Sequence, residues 1–410
     1  MRTRVHQFDR HFCSPFLANG TLMMEIPMAD LTRQEIFAEC QLCVVKVGTR
    51  VLTDESGRLD LNQLHHLVDE ISSLHAKGVQ VVLVSSGAVG AGMGCLGLEK
   101  RPENVASLQA VAAVGQSKLM HHYDFAFQAH HLQTAQVLLT AEDLADRGRY
   151  LNVRNTLLRL LDLGTIPIVN ENDTVAIDEL VTHFGDNDRL AALVTNLVRA
   201  PLLVILSDVE GLYNGNPALP ESELIPVVQQ IDDQTFKLVC DQQSGLSRGG
   251  MMTKLEAAKM VTLAGENAII TNGKQNSMLS RVFNSEPLGT LFLAQGKSLT
   301  PRKRWIGFSA QSKGEIALDS GASDAIVRYG RSLLSIGVRR VKGTFGKGDV
   351  ITLVDSTGKA IARGLTNYTS DELQRIRGLS SREIVEVLGH VPYEEVVHRD
   401  NLLVLEPAGD

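Results

Sequence analysis

The chain has 410 residues, with 40 Lys and Arg against 47 Asp and Glu for a formal charge of −7, 44 % hydrophobic and 21 % charged residues. That is room for two or three domains of ordinary globular composition, and it excludes both a disordered chain and a polybasic nucleic-acid coat. Five cysteines at scattered spacing exclude a disulfide scaffold and suit a reducing, cytoplasmic setting.

Met1-Arg2-Thr3-Arg4 has the charge of an export signal, but His6, Asp9, Arg10 and His11 interrupt any apolar stretch behind it. A transit peptide is the competing reading. Residues 1–40 show no sustained period and read as a poorly ordered extension, with Met24 or Met28 as alternative starts. Then a rhythm begins. Cys43-Val44-Val45-Lys46-Val47 is a β-branched run ended by Gly48, and Leu64, Leu67, Val68, Ile71 and Leu74 recur at helical spacing. A second strand-like run, 79–84, ends at Ser85-Ser86-Gly87. A long Ala/Val/Leu helix starts near 105, followed by a run at 134–139, a helix at 150–161 and the strand Ile166-Pro167-Ile168-Val169. Helical 190–198, strand-like 202–206, helical 254–263 and strand-like 268–271 complete the rhythm.

Continuous apolar strands alternating with helices predict an α/β fold, a mostly parallel sheet sandwiched by helices, with ligands beyond the carboxyl ends of the strands. Residues 78–98 lack charge but hold six glycines, so they predict a strand and turn and no membrane span. At 296–304 the texture becomes linker-like. Short runs at 315–318, 338–342, 349–354 and 360–365, with frequent Gly turns, predict a small, mostly β barrel. The expected organisation is an extension at 1–40, a catalytic body at 41–296 and the barrel with linker and tail at 297–410, its core about 314–389. Residues 297–393 carry 16 Lys and Arg against 9 Asp and Glu, so a basic appendage joins an acidic body.

Several motifs imitate known sites without their context. Gly92-Met93-Gly94-Cys95-Leu96-Gly97 fits GxGxxG but starts well past the strand end, with no acid about 20 residues on. Cys40-Gln41-Leu42-Cys43 has no second pair for zinc. Gly296-Lys297-Ser298 lacks the first P-loop glycine, and His398-Arg399-Asp400 stands too near the end of the sequence for a protein-kinase loop.

Four strand ends carry the chemistry. Lys46 inside a β-branched run is costly to bury unless an anion meets it, and Gly48 lets backbone approach that anion. Ser85-Ser86-Gly87-Ala88 turns a strand into a helix through small residues that expose N–H groups and a hydroxyl. Asn170-Glu171-Asn172-Asp173 and Gly185-Asp186-Asn187-Asp188 supply acids for an ammonium group and for organising phosphate-binding lysines, without the register of an EF-hand. Ser207-Asp208 and, downstream, Gly249-Gly250-Met251-Met252-Thr253-Lys254 form a strand end and a glycine-opened helix suited to nucleotide phosphates.

VVKVGT, VSSGAVGAG, NENDTV, FGDND, LSDVEGLY and RGGMMTK, in this order, resemble the amino acid kinase family over residues 41–294, and most closely its branch that phosphorylates the γ-carboxylate of glutamate at the head of proline synthesis. Residues 314–389 resemble the PUA domain, an RNA-binding barrel. The resemblance implies that Lys46 and Lys254 hold the transferring phosphoryl group and Asp188 orients them. It implies N–H groups from Gly48 and Gly87, with glutamate held by Ser86, Asp173, Asp186 and Asn187. ATP would be held by Lys46, Ser207, Asp208 and the segment 248–254, including Gly249, Gly250, Met251, Met252, Thr253 and Lys254. It further implies Mg²⁺ with ATP, L-proline as feedback inhibitor, RNA at the PUA domain, a homo-oligomer and coupling to glutamate-5-semialdehyde dehydrogenase.

Two departures stand out: Ser247-Arg248 replaces a small Gly-Thr pair, and the N-terminal extension has no counterpart in the bacterial pattern. Kinases of the same fold acting on N-acetylglutamate, aspartate, carbamate or UMP are the nearest alternatives. An RNA-binding module with a vestigial body is the alternative of another class. Since no chemical cluster lies beyond Lys254, a chain ending near Gly296 is expected to stay folded and active.

Overall fold

The computed structural model describes residues 28–175, 187–240, 248–296, 298–389 and 393–405. Strands β1 (Leu42–Val47), β2 (Gln80–Val84), β3 (Thr134–Leu139), β4 (Ile166–Glu171), β5 (Leu202–Ser207), β6 (Val227–Val228), β7 (Asn267–Asn272) and β8 (Thr290–Phe292) form one sheet, in the order β3-β4-β2-β1-β5-β7-β8-β6. All neighbours are parallel except β7 and β8. Chain order reverses at β1, which pairs β2 on one side and β5 on the other. Their carboxyl ends are therefore where a ligand has room.

Each face of the sheet covers its own core, as strand alternation requires. Val45 and Val47 join Leu83, Val204 and the helix Leu61–Ala76 on one face. Val44 joins Val84, Ile205 and the helices Asp188–Val198 and Arg248–Leu263 on the other. Lys46, two residues after Val44, points to that second face. Two-residue periodicity thus sends the only charged side chain of β1 toward those two helices.

The glycine-rich segment after β2 has two purposes. Gly87, at φ 97°, turns the chain into the helix Ala88–Leu96. Gly92 and Gly115 let that helix cross Val105–Gln128 at backbone distance: a Cβ on Gly115 would sit 1.7 Å from the Ala88 carbonyl oxygen. The apparent dinucleotide motif is a helix crossing.

The C-terminal unit is a five-stranded sheet ordered β11-β9-β12-β13-β15, beside a β10-β14 pair. Its strands are β9 (Gly314–Leu318), β10 (Leu333–Leu334), β11 (Val338–Gly343), β12 (Val350–Val354), β13 (Ala360–Leu365), β14 (Glu395–Val397) and β15 (Leu402–Val404). Ile316, Ile351, Leu353, Tyr368 and Ile384 fill its own core.

Two expectations require correction. The extension is not loose throughout: Met28–Ala38 is a helix that buries Phe37 and Arg33, and Arg33 donates to the carbonyls of Leu288, Pro226 and Gly289 at 2.9, 2.7 and 3.1 Å. Residues 1–27 lie outside the described residues. Nor does the stretch before the barrel behave as a linker. Thr300 caps a turn at Pro301–Arg304, Arg304 is fully buried against Glu266, and Phe308 and Leu403 belong to the core of the larger unit. Ending the chain near Gly296 would strip this seam and leave Glu266 without its guanidinium.

Candidate active site

The strand ends meet at one carboxylate. Asp188 opens the helix Asp188–Val198 and is fully buried; its Oδ1 lies 2.6 Å from Lys46 Nζ and its Oδ2 lies 3.1 Å from Lys254 Nζ. Lys46 arrives from β1, and Lys254 from the helix Arg248–Leu263, which packs on the helix of Asp188. Lys254 also donates to the Gly250 carbonyl at 2.9 Å, and Thr253 Oγ1 to Asp188 Oδ2 at 3.0 Å. Two ammoniums thus share one carboxylate in a nearly dry place. Burying such charges is costly unless they are mutually satisfied. The arrangement fixes two cations side by side at a strand end, ready for the oxygens of a phosphoryl group.

On one side lies a small pocket lined by Thr49, Ser86, Gly87, Arg101, Asn170, Asp173 and Asn187. Asn187 is buried, its Nδ2 donating to the Ser85 carbonyl at 2.6 Å and to Asn170 Oδ1 at 2.8 Å. Asn170 in turn donates to Gln116 Oε1 at 2.7 Å, so the pocket's amides are locked by a chain of hydrogen bonds. Burial pulls the Arg101 guanidinium below its ordinary value, while the Asp173 carboxylate acts in the other direction. The pocket thus offers both signs of charge, as an amino acid's two ends require.

On the other side, Ser207 ends β5, and Asp208 follows with its Oδ2 3.0 Å from Arg50 Nη1. Burial alone would raise the Asp208 carboxyl, but the Arg50 guanidinium, the Asp208 backbone N–H and the Ser207 hydroxyl together outweigh it and the pKa falls below the usual value. Gly250, Met251, Met252 and Thr253 lie in the first turns of Arg248–Leu263, and both methionine side chains pack against the core. Their remaining offer to a ligand is backbone.

Of the sequence-predicted residues, Lys46, Asp188 and Lys254 come together, as do Ser86, Gly87, Asp173 and Asn187. Ser207, Asp208 and the 249–254 turn lie at neighbouring strand and helix ends. Asp186 and Ser247 fall outside the described residues. Gly48 differs from its expected role, because its N–H donates to the Leu206 carbonyl at 3.0 Å. Its contribution is the missing side chain: a Cβ there would lie 3.3 Å from that oxygen. Arg101, Thr49 and Arg50 were missed. Arg101 sits in Glu99-Lys100-Arg101, which has the pattern of a solvated charge run, and no local signal distinguishes it. The CxxC is inert: hydrogen bonding to Cys40, then burial, pushes the Cys43 thiol well above its ordinary range.

A buried lysine–aspartate–lysine set at the carboxyl ends of parallel strands is the equipment of a phosphotransferase. Residues 41–272 match the Amino acid kinase family and residues 314–388 the PUA domain. The chain belongs to the amino acid kinase family, and within it to the family of the glutamate 5-kinases. Glutamate 5-kinase of Rhodopirellula baltica is 48 % identical over 91 % of this chain and 96 % of that protein. The enzyme of the same name from Geobacter sp. strain M21 is 46 % identical over 91 % of this chain and all of its own. Among solved structures, carbamate kinase from Giardia lamblia bound to AMP-PNP aligns with 63 % of this chain and 100 % of its own, at 18 % identity and TM-score 0.46. Among the described residues, no helix is long and apolar enough to cross a membrane.

Proposed function

We propose that this chain transfers the terminal phosphoryl group of ATP to the γ-carboxylate of L-glutamate, giving L-glutamyl 5-phosphate for proline synthesis. The observation that carries the reading is the Lys46–Asp188–Lys254 set between two strand ends, at Ser86–Gly87 and at Ser207–Asp208. A carboxylate is already ionised at neutral pH, so the reaction needs no strong general base. It needs alignment, and positive charge on the oxygens of a phosphoryl group in flight. Lys46 and Lys254 supply that charge, and Asp188 holds both ammoniums where it is needed.

Glutamate enters the Ser86–Asp173–Asn187 pocket with its α-ammonium toward Asp173, a carboxylate toward Arg101 and its γ-carboxylate toward the lysines. ATP lies across Ser207, Asp208 and the turn at Gly249–Lys254. Mg²⁺ enters on the nucleotide's phosphates as part of the substrate.

ATP turnover measured with glutamate, N-acetylglutamate, aspartate and UMP tests the reading. Glutamate is expected to be preferred, because Asp173 favours a free ammonium. Preference for N-acetylglutamate or UMP overturns it. Proline shares glutamate's α-carboxylate and α-ammonium end without the phosphate acceptor, so it is expected to compete in the same pocket. Asp173→Asn is expected to weaken both ligands by about 2–5 kcal/mol. Equal inhibition at all glutamate concentrations would place proline elsewhere. We assign the protein to the cytoplasm, in keeping with its free cysteines, and RNA to the barrel, where Arg339 and Arg340 stand exposed on β11.

A further inference from the structure

Arg147, Tyr150 and Arg154 stand at i, i+3 and i+7 on the helix Arg147–Asp162, so they share one face. That face meets Trp305, from the turn that leads into the barrel. The guanidinium carbon of Arg147 lies 5.2 Å from the centre of the Trp305 ring and 5.4 Å from that of Tyr150. The helix Asp188–Val198 packs against both elements and brings Asn196, whose Oδ1 accepts from Arg304 Nη1 at 3.4 Å.

Five polar atoms of this seam are buried with no hydrogen-bond partner among the described residues: Arg147 Nη1, Tyr150 Oη, Arg154 Nε, Asn196 Nδ2 and Trp305 Nε1. Tyr150 and Asn196 are each only 1 % exposed. Four of the five atoms can only donate, and the hydroxyl can do so. The charges that act on Tyr150 are all arginines: burial pushes its pKa up, and Arg147, Arg304 and Arg154 pull it back. Of these three, only Arg304 has a carboxylate partner among the described residues, Glu266. A water placed here would bring two donors of its own to a place already rich in them. The complement of unpaired donors on one seam with excess positive charge is an acceptor-only group.

We propose that this seam binds a tetrahedral oxyanion, a phosphate free or at the end of a small monoester, between Arg147 and Arg154 with Tyr150, Asn196 and Trp305 as further donors. The site is separate from the catalytic lysines. Asn196 lies about two turns along the helix that begins with Asp188. A bound anion therefore joins the segment leading to the barrel to the helix that orients the lysines.

The test uses the full chain saturated with a non-hydrolysable ATP analogue and glutamate, so that the cradle at Lys46 and Lys254 is filled. Inorganic phosphate and, separately, ribose 5-phosphate are titrated by calorimetry in chloride buffer. One ion is expected per chain, weakened at least tenfold in Arg147→Gln and Arg154→Gln and severalfold in Tyr150→Phe, which keeps the ring and its packing. Phosphate is also expected to raise the Tm of the wild type and not of Arg154→Gln, whose fold is checked by circular dichroism. Binding of either ligand with these losses supports the site, and the pair tells a closed site for the free ion from one open to a monoester. Absence of binding of both to the wild type overturns it. So does binding that is unchanged in all three variants, the mark of an adventitious ion only.

Discussion

Two clusters on one helix gather positive charge and are finished in opposite ways. At the start of Asp188–Val198, two ammoniums close on one carboxylate at 2.6 and 3.1 Å. Near its end, three guanidiniums act on Tyr150, and among the described residues only Arg304 of these has a carboxylate partner. The first set is held by its own members before a ligand arrives, so its charge is aimed. In the second, Arg147 is held over the rings of Trp305 and Tyr150, and the neighbouring donors still await acceptors. Aimed charge suits a group in transit, because it is worth most where charge moves during reaction. Buried donors without acceptors of their own suit an anion that stays. Net charge alone would not separate the two; the state of the hydrogen bonds does.

The comparison is broken most sharply at its centre. Asp188→Asn keeps the shape but leaves two buried ammoniums facing each other, a loss of about 3–5 kcal/mol expected for removing one partner of a buried charge set. Denaturant unfolding measures it, and a loss under about 1 kcal/mol would mean the lysines are held by something else.

Next come Lys46→Ala and Lys254→Ala, each expected to lower kcat 10²–10³-fold, about 3–4 kcal/mol, with far less effect on the KM for glutamate. More than about a third of wild-type kcat in either variant rejects its assigned role.

Where the barrel meets the larger unit, Leu403→Ala removes a side chain of β15 from the shared core. The loss expected is about 2–3 kcal/mol, read as a lower Tm of the whole chain; an unchanged Tm means the barrel is not braced there.

The smallest effect belongs to a half-exposed pair. Arg50→Gln is expected to cost a few tenths of a kcal/mol, after screening by solvent. Because the Asp208 pKa is lowered on folding, its contribution is present above the unfolded carboxylate's pKa of about 4 and is lost as pH falls through the folded value. The deficit of the variant should therefore be seen at neutral pH and vanish in acid; a deficit that persists there is not electrostatic.

The body of the fold and the centre of the site were legible because both follow local rules. Uninterrupted apolar runs gave the parallel strands, and Lys46 stood out as the one charge in such a run. Lys254 was found in the first turn of a glycine-opened helix, and Asp188 in an acidic cluster after a strand, its role given by the family resemblance. What escaped was held by distant partners. Arg33 lies in the stretch that reads as a poorly ordered extension, yet its acceptors are the carbonyls of Pro226, Leu288 and Gly289. Arg304 sits in a basic stretch with the texture of a linker and is fully buried because Glu266 meets it. Arg101 shows its role only once the chain has brought Asp173 beside it. An arginine's surroundings are set by tertiary structure, and no window of neighbouring residues contains them.

The placement of β1 between β2 and β5 has a consequence in time. Lys46 leaves the ribosome roughly ten to forty seconds before Lys254 at ordinary rates of synthesis. Until β5 is made, one side of β1 has no strand to pair with, and until Asp188 is made its lysine has no carboxylate. Pairing across so long a stretch of chain is slow, since loop closure comes before any reward in contacts. The catalytic centre is therefore among the last parts of the sheet to assemble, and a nascent chain that stops short of Lys254 holds at most its Lys46–Asp188 half.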